Sequence, residues 1–210
     1  MTDWTSYRLQ DFVPFTEQVY FRLMERMGEI FWPLHLLMLA LGGGALVLAL
    51  RAHPRSTLAL LAPVWVFVAV AFFLQRYAQL NWAGQYVGYA FMGQAALFLL
   101  ISVAGWGLND RQAGLRGTVV VGVLLGISGL VGVPLATLPA DGSWYQAQTF
   151  GIHPDPTALV SLGMVVLGLR GPVRWLAAIV PVLWLVISGL TLLALHSPAP
   201  SPFTAGGFPG

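Results

Sequence analysis

Residues 58–80 read LALLAPVWVFVAVAFFLQRYAQL, and no charged residue interrupts this stretch before Arg76. A run of about 20 apolar residues is long enough to cross the hydrocarbon core of a bilayer as a helix. Similar apolar stretches lie near 30–50, 83–107, 117–138, 156–169 (extended backward toward Thr149) and 173–195. The pattern therefore predicts an all-α, polytopic helical membrane protein with about six transmembrane helices.

The composition narrows the classes of function. Of the 210 residues, 57% are hydrophobic and 9% are charged, so the spans leave room only for short loops and no soluble catalytic domain is expected. The chain has no cysteine, which excludes disulfides, thiolate metal sites and cysteine nucleophiles. Its ten basic residues are all arginine and form no basic run, so nucleic acid is not an expected partner. The lipid bilayer is the expected partner.

Residues 1–28 form a separate N-terminal segment. They contain acidic residues and no continuous apolar core, which is unlike a cleavable signal. From Thr16 onward, apolar residues recur every three or four positions, at Val19, Leu23, Met27, Ile30, Phe31 and Leu34. This spacing predicts an amphipathic helix, either lying in the headgroup plane before a turn near Trp32 and Pro33 or extending the first span into water. Residues 29–196 are then the six-helix bundle, and 197–210 are a tail rich in proline and glycine.

Arginine predicts the orientation of the spans. Pairs of arginines lie in alternate loops: Arg51 and Arg55, Arg111 and Arg116, and Arg170 and Arg174. Short loops rich in arginine stay on the cytoplasmic side, so both chain ends are predicted to lie on the outer side.

Glycine spacing predicts close helix packing. Gly84 with Gly88, and Gly122 with Gly126, each make a step of two small residues four positions apart. Such steps let helix backbones approach closely. We expect these faces to pack within the chain, and a contact with another subunit is the alternative.

Polar residues near the span ends suggest a site. On the predicted topology, six of them share the outer side and form a candidate outward-facing polar pocket: Glu29, His35, Arg76, Asn81, His153 and Asp155. Arg76 would pair with Glu29 or Asp155. The alternative is that these are interfacial residues that reach headgroups and cap helix ends.

More specific chemistry has weaker support. His35 and His153 would hold a haem iron, or a soft metal together with Met24 or Met27, but neither lies in a dense ligand motif. For hydrolysis, Ser143 near His153 and Asp155 is a local grouping without a recognisable triad motif. A quinone site needs an aromatic cleft with a polar end. The cofactor stays unknown.

Three stretches resemble a bacterial multi-spanning membrane family known only as a domain of unknown function. They are residues 20–33 (YFRLMERMGEIFWP), 75–82 (QRYAQLNW) and 149–157 (TFGIHPDPT). The family landmarks map onto Glu29, Trp32, Pro33, Tyr77, Asn81, Thr149, Phe150, Gly151, Pro154, Pro156 and Thr157. The family pattern has glutamine near the position of His35 and cysteine near that of Asp155, which weakens a histidine-ligand site. The resemblance implies a bacterial inner-membrane location and no established catalysis, and it supplies no cofactor. In such a membrane, the outer side that the arginine pattern predicts for both termini is the periplasm.

Two classes of function remain. The first is a non-enzymatic membrane component, either free-standing or an accessory subunit docked to other subunits of a membrane complex. The second is a small-solute or ion transporter or channel, or a quinone- or haem-binding protein. The centres of the last four spans carry few polar residues, namely Gln94, Ser102, Ser128, Ser161 and Ser188. Such a thin lining favours the first class.

Overall fold

The computed structural model describes residues 16–109, 116–138 and 143–196, and every regular element in these ranges is helical. The first fifteen residues and the tail 197–210 lie outside the described residues. The main helices are α1 (Glu17–Ile30), α2 (Leu34–Leu50), α3 (Pro54–Leu80), α4 (Ala83–Ala104), α5 (Gly117–Ala136), α6 (Pro154–Gly168) and α7 (Gly171–His196).

Two helices contain wider turns. In α3 the segment Val68–Tyr77 is π-helical, and in α5 the segment Ser128–Gly132 is π-helical. A π-helical turn holds more residues than an α-turn, so it changes which side chains face the neighbouring helices. In α3 the segment places Phe72, Phe73 and Tyr77 in the interior of the bundle.

The helices α2 to α7 alternate in direction between two ends of the bundle. We call one the arginine end, because its loops 51–53, 105–109 and 169–170 lie beside Arg51, Arg55, Arg170 and Arg174. There Arg55 Nη1 donates to the Val103 carbonyl at 3.2 Å. The opposite end is called the α1 end, and it is formed by loops 31–33 and 81–82 and by residues 137–138 and 143–153. Arg111 and the side chain of Arg116 lie outside the described residues.

The helix lengths give four or five candidate spans of full length, where the sequence predicts about six. Four helices, α3, α4, α5 and α7, are long and apolar enough to cross a membrane, and α1 with α2 makes a fifth if that bent pair counts as one span. The expected fifth span is α6, which has 15 residues and is therefore only about 22 Å long, against about 30 Å of hydrocarbon. It starts late because Pro154 and Pro156 favour the first turn of a helix over its interior.

The short helix α6 is the centre of the bundle. Nearly all of its residues are buried, and α2, α3, α5 and α7 pack around it. Close approach needs small residues: a Cβ at Gly163 would lie 2.6 Å from the Gly122 carbonyl oxygen and 2.7 Å from the Gly126 nitrogen. At Gly88 a Cβ would lie 2.8 Å from Leu74 of α3. The predicted glycine steps thus pack within the chain.

The N-terminal helix α1 is separate from α2, and the two meet at 91°. The turn falls at residues 31–33, where proline predicts it. The buried face is rotated from the predicted one: Met27 is buried as predicted, but so are Tyr20 and Met24, whereas Val19 and Ile30 are 38% and 55% exposed. The reason is the turn Trp144–Gln146, on which α1 packs so closely that the Tyr145 carbonyl occupies the place of a Cβ at Gly28.

Candidate functional site

The described interior holds one acidic side chain, Asp155, in the first turn of α6. Its carboxylate accepts two hydrogen bonds from α7, one from Trp184 Nε1 at 2.7 Å and one from Ser188 Oγ at 2.8 Å. Trp184 and Ser188 are four residues apart, so they lie on the same face of α7. Both donors are themselves buried. The bonds therefore fix α6 against α7 at the α1 end.

Two tyrosines join this group from other helices. The Tyr20 phenol of α1 interacts with Ser188 and with Asp155. The Tyr77 phenol, at the end of the π-helical segment of α3, interacts with Asn81 and with Asp155. We call Tyr20, Tyr77, Asp155, Trp184 and Ser188 the Asp155 cluster. It brings side chains of four helices around one carboxyl group, which accepts its hydrogen bonds from Trp184 and Ser188 of α7.

Aromatic rings surround the cluster. The Trp184 ring contacts Phe73 and Phe91, with centroids 4.8 and 5.9 Å apart. Behind them Trp65 stacks on Phe91 at 4.3 Å, and its indole donates to Ser161 of α6 at 2.7 Å. Buried carboxylates are costly unless they are hydrogen-bonded, and an apolar surround strengthens each bond that they make. The geometry is therefore that of a fixed contact between α6 and α7.

The second buried polar group is His153, just before α6. Its Nδ1 accepts from the Thr149 backbone N–H at 3.0 Å, and its Nε2 lies 3.2 Å from the Met24 carbonyl oxygen. A carbonyl only accepts, so Nε2 carries the proton and the imidazole is neutral. Both nitrogens are engaged, so His153 would have to give up a hydrogen bond to ligate a metal.

His35 lies near His153 but differs in its bonding. The two imidazoles are near enough to interact electrostatically. His35 is buried, and its Nδ1 has no hydrogen-bond partner among the described residues. Within the described ranges, no group of three or more histidine, cysteine, aspartate or glutamate side chains is placed to hold a metal ion.

Thr157 closes the loop that leads into α6. Its hydroxyl accepts from the Gly151 N–H at 2.8 Å and donates to the His153 carbonyl at 2.6 Å. Gly151 has φ of +78°, a conformation that glycine adopts without strain. The loop thereby holds His153 toward α1 and Asp155 toward α7.

The remaining candidates lie nearer the surface of the α1 end. Arg76 donates to the Ala71 carbonyl and to Gln75 Oε1 and lies over the Phe31 ring at 5.1 Å, so it pairs with neither Glu29 nor Asp155. Glu29 is exposed. Asn81 Oδ1 accepts from the Ala83 N–H at 3.0 Å, where α4 begins.

The possible hydrolytic grouping is not assembled. Ser143 Oγ accepts from the Tyr145 N–H at 3.3 Å, a local bond at the start of a short turn. The imidazole of His153 is bonded to Thr149 and Met24 instead. Ser143, His153 and Asp155 therefore do not form a nucleophile, base and acid in series.

The sequence alone does not point to Trp184 or Tyr20 as part of the cluster. Ser188 is visible as an isolated polar residue at the centre of a span, and Trp184 lies one helical turn before it. That spacing is the one available signal, because an otherwise apolar helix gives no further indication of which face meets an acid.

Comparison with known proteins identifies a family and no characterised relative. No curated protein and no solved structure is significantly similar to this chain. A family model described as a family of unknown function (DUF6064) matches residues 17–199, which include α1 to α7 and the Asp155 cluster. The chain therefore belongs to the DUF6064 family.

Proposed function

We propose that this chain is an integral membrane protein of the bacterial inner membrane that has a structural role, as an accessory subunit of a membrane complex. The membrane location is supported by the sides of the bundle. In the most apolar windows of α5 and α7, only 17% and 22% of the window is buried inside the chain. Apolar faces of that size need lipid or another helix to cover them.

Aromatic and basic residues support an orientation. Trp82 and Tyr86 at the α1 end are 76% and 65% exposed, and Trp106 and Trp175 at the arginine end are 59% and 75% exposed. Exposed tryptophan and tyrosine at two levels are typical of the two membrane interfaces. We propose that the arginine end faces the cytoplasm and that the chain crosses six times, with α6 as a short internal crossing. Both termini would then be periplasmic.

One observation carries the structural role: the polar side chains within the apolar helices join helices to one another. Gln94 of α4 donates to the Ala177 carbonyl of α7 at 3.0 Å, and Ser102 of α4 donates to the Arg55 carbonyl of α3 at 2.8 Å. Ser161 accepts a hydrogen bond from Trp65, and Ser188 donates one to Asp155. Such bonds between helices stabilise a bundle. A transport path needs polar groups that are free to exchange partners.

The face of α2 supports a partner subunit. Ala40 is exposed there, and a Cβ on Gly43 or Gly44 would meet nothing within 4 Å. Ala40 and Gly44 are two small residues four positions apart, like the glycine pairs that pack inside the chain. No helix of this chain covers them among the described residues. A partner helix would fit against it.

Purification in mild detergent tests both parts of the proposal. The tagged chain should stay with membranes washed at high pH and should bring down companions in a fixed ratio. Gly44→Leu should lose them without loss of folding, whereas Gly93→Leu on α4, where a Cβ also meets open space, should keep them. A single species of about 22.7 kDa in every preparation would overturn the accessory role. Release by the alkaline wash would overturn the membrane location.

A second candidate function has one observation in its favour. A cleft of about 230 Å³ lies between α4 and α7, with Phe91 and Trp184 among its lining residues. Trp184 connects this cleft to Asp155, so the cleft is aromatic with a polar group behind it. A quinone ring would suit such a cleft. Solvent extraction of purified protein, followed by absorption spectroscopy, should recover quinone in a fixed ratio, and Trp184→Ala should lose it.

A further inference from the structure

A basic groove lies between α1 and the end of α3, separate from the Asp155 cluster. Its volume is about 250 Å³, and its wall includes both arginine and apolar side chains, among them Val19, Arg22, Arg26, Ile30, Arg76 and Leu80. Arg22 and Arg26 are one turn apart on α1, so both side chains reach the same groove. Arg76 faces them from α3.

The groove has positive charge that the described residues do not neutralise. The guanidinium groups of Arg22 and Arg26 are exposed and make no hydrogen bond or ion pair with the described residues. No acidic residue is among the residues that line the groove. Glu25 lines a neighbouring pocket that also includes Arg22, and its carboxylate there accepts from Gln146 at 3.4 Å.

The Arg76 side chain is fixed beside this groove by its own contacts. One of its nitrogens donates to the Ala71 carbonyl, and the guanidinium plane lies over Phe31, 5.1 Å from the ring centroid. A guanidinium group has five N–H donors, so these contacts leave donors for an anion. Because Ala71 belongs to the π-helical segment, the wider turns set the position of Arg76.

The residues around the groove are of the kind found at the level of lipid headgroups. Trp82, directly after α3, is 76% exposed at the same end, which is the level of an aromatic belt. Val19 and Ile30 are the apolar residues that α1 leaves exposed, and both line the groove. A ligand that matches the wall has an anionic oxygen group at one end and apolar chains at the other.

We infer that this groove binds the phosphate of an anionic phospholipid, with Arg22, Arg26 and Arg76 as donors and an acyl chain against Val19 and Ile30. Arginine pairs with phosphate through two parallel hydrogen bonds, which gives both strength and orientation. The site would hold α1 in the plane of the membrane. This inference rests on the proposed membrane location and not on the accessory role.

Binding of defined lipids to the purified full chain tests the site. In detergent, native mass spectrometry should show that phosphatidylglycerol binds more tightly than phosphatidylcholine. The double variant Arg22→Gln with Arg26→Gln should bind phosphatidylglycerol about tenfold more weakly, since a hydrogen bond to a charged group contributes at least that factor to affinity. Arg51→Gln with Arg170→Gln is the matched control, because both are exposed arginines at the arginine end. Arg22→Lys with Arg26→Lys should keep part of the affinity that the glutamine variant loses.

The source of the phosphate is decided by competition. Inorganic phosphate at millimolar concentration should leave long-chain phosphatidylglycerol bound, and dihexanoyl phosphatidylglycerol should bind more weakly than the long-chain lipid. Equal binding of the two headgroups, equal effects of the two double variants, or displacement by inorganic phosphate would each overturn the inference. A protein that stays in washed membranes while failing these tests loses this site only, whereas release from the membranes removes the proposed function.

Discussion

Replacing Trp184 with phenylalanine should remove one donor from Asp155 while leaving an aromatic ring beside Phe73 and Phe91. A hydrogen bond to a charged group contributes about 1.5–3 kcal/mol to stability. The smaller ring buries less apolar surface, which costs about 1 kcal/mol more. The free energy of unfolding should therefore fall by about 3 kcal/mol, or about a hundredfold in the unfolding equilibrium constant.

The measurement is equilibrium unfolding in mixed micelles, followed by circular dichroism as the denaturing detergent increases. Trp175→Phe is the matched control, because Trp175 is 75% exposed at the other end of the same helix. Its effect should stay within about 0.5 kcal/mol. Ser188→Ala removes the second donor, and the double variant should differ from the sum of the two, since both donors serve one carboxylate. If Trp184→Phe costs no more than Trp175→Phe, the carboxylate does not hold α6 to α7.

The other predictions concern the loop before α6 and its packing. Thr157→Val should cost about 2–3 kcal/mol, because the Gly151 N–H and the His153 carbonyl both lose a buried partner; the same unfolding assay checks this, and a change below 0.5 kcal/mol would contradict the role of Thr157. Gly163→Ala should destabilise by about 1–3 kcal/mol, because its Cβ would meet backbone atoms of Gly122 and Gly126, whereas Gly189→Ala should be neutral or gain up to about 1 kcal/mol in an open helical position. Equal effects of these two alanines would show that α5 and α6 are not in close contact.

Hydropathy predicts most of the helices because a long apolar run has few alternatives to a helix in lipid. The predicted stretch 58–80 corresponds to Pro54–Leu80, 83–107 to Ala83–Ala104, and 173–195 to Gly171–Leu195. The stretch 156–169 is the exception. Its composition resembles the others, but Pro154–Gly168 is buried on all sides and short of a span. Composition does not separate a helix surrounded by helices from one surrounded by lipid.

The candidate site is less predictable than the helices. In a soluble helix the polar side reveals the face that meets water, but α6 and α7 are apolar around their whole circumference, so their rotation cannot be deduced. For this reason the sequence draws attention to Asp155 and misses Trp184. The rotation of α1 is missed for a related reason. Its apolar residues at Val19 and Ile30 suggest a buried stripe, yet the buried face follows Tyr20 and Met24, which have polar partners in the interior.

The shortness of α6 has a consequence for biosynthesis. A helix of 15 residues that opens with two prolines and an aspartate is a poor candidate for insertion by itself. Hydrogen bonds from Trp184 and Ser188 offset the free-energy cost of burying Asp155. Both donors belong to α7 and are therefore synthesised after α6. We expect α6 and α7 to enter the bilayer together as a hairpin. A chain stopped at Arg170 should therefore carry a glycosylation acceptor near residue 169 to the outer side, because α6 alone fails to cross. An acceptor that stays unglycosylated on the cytoplasmic side would show independent insertion of α6.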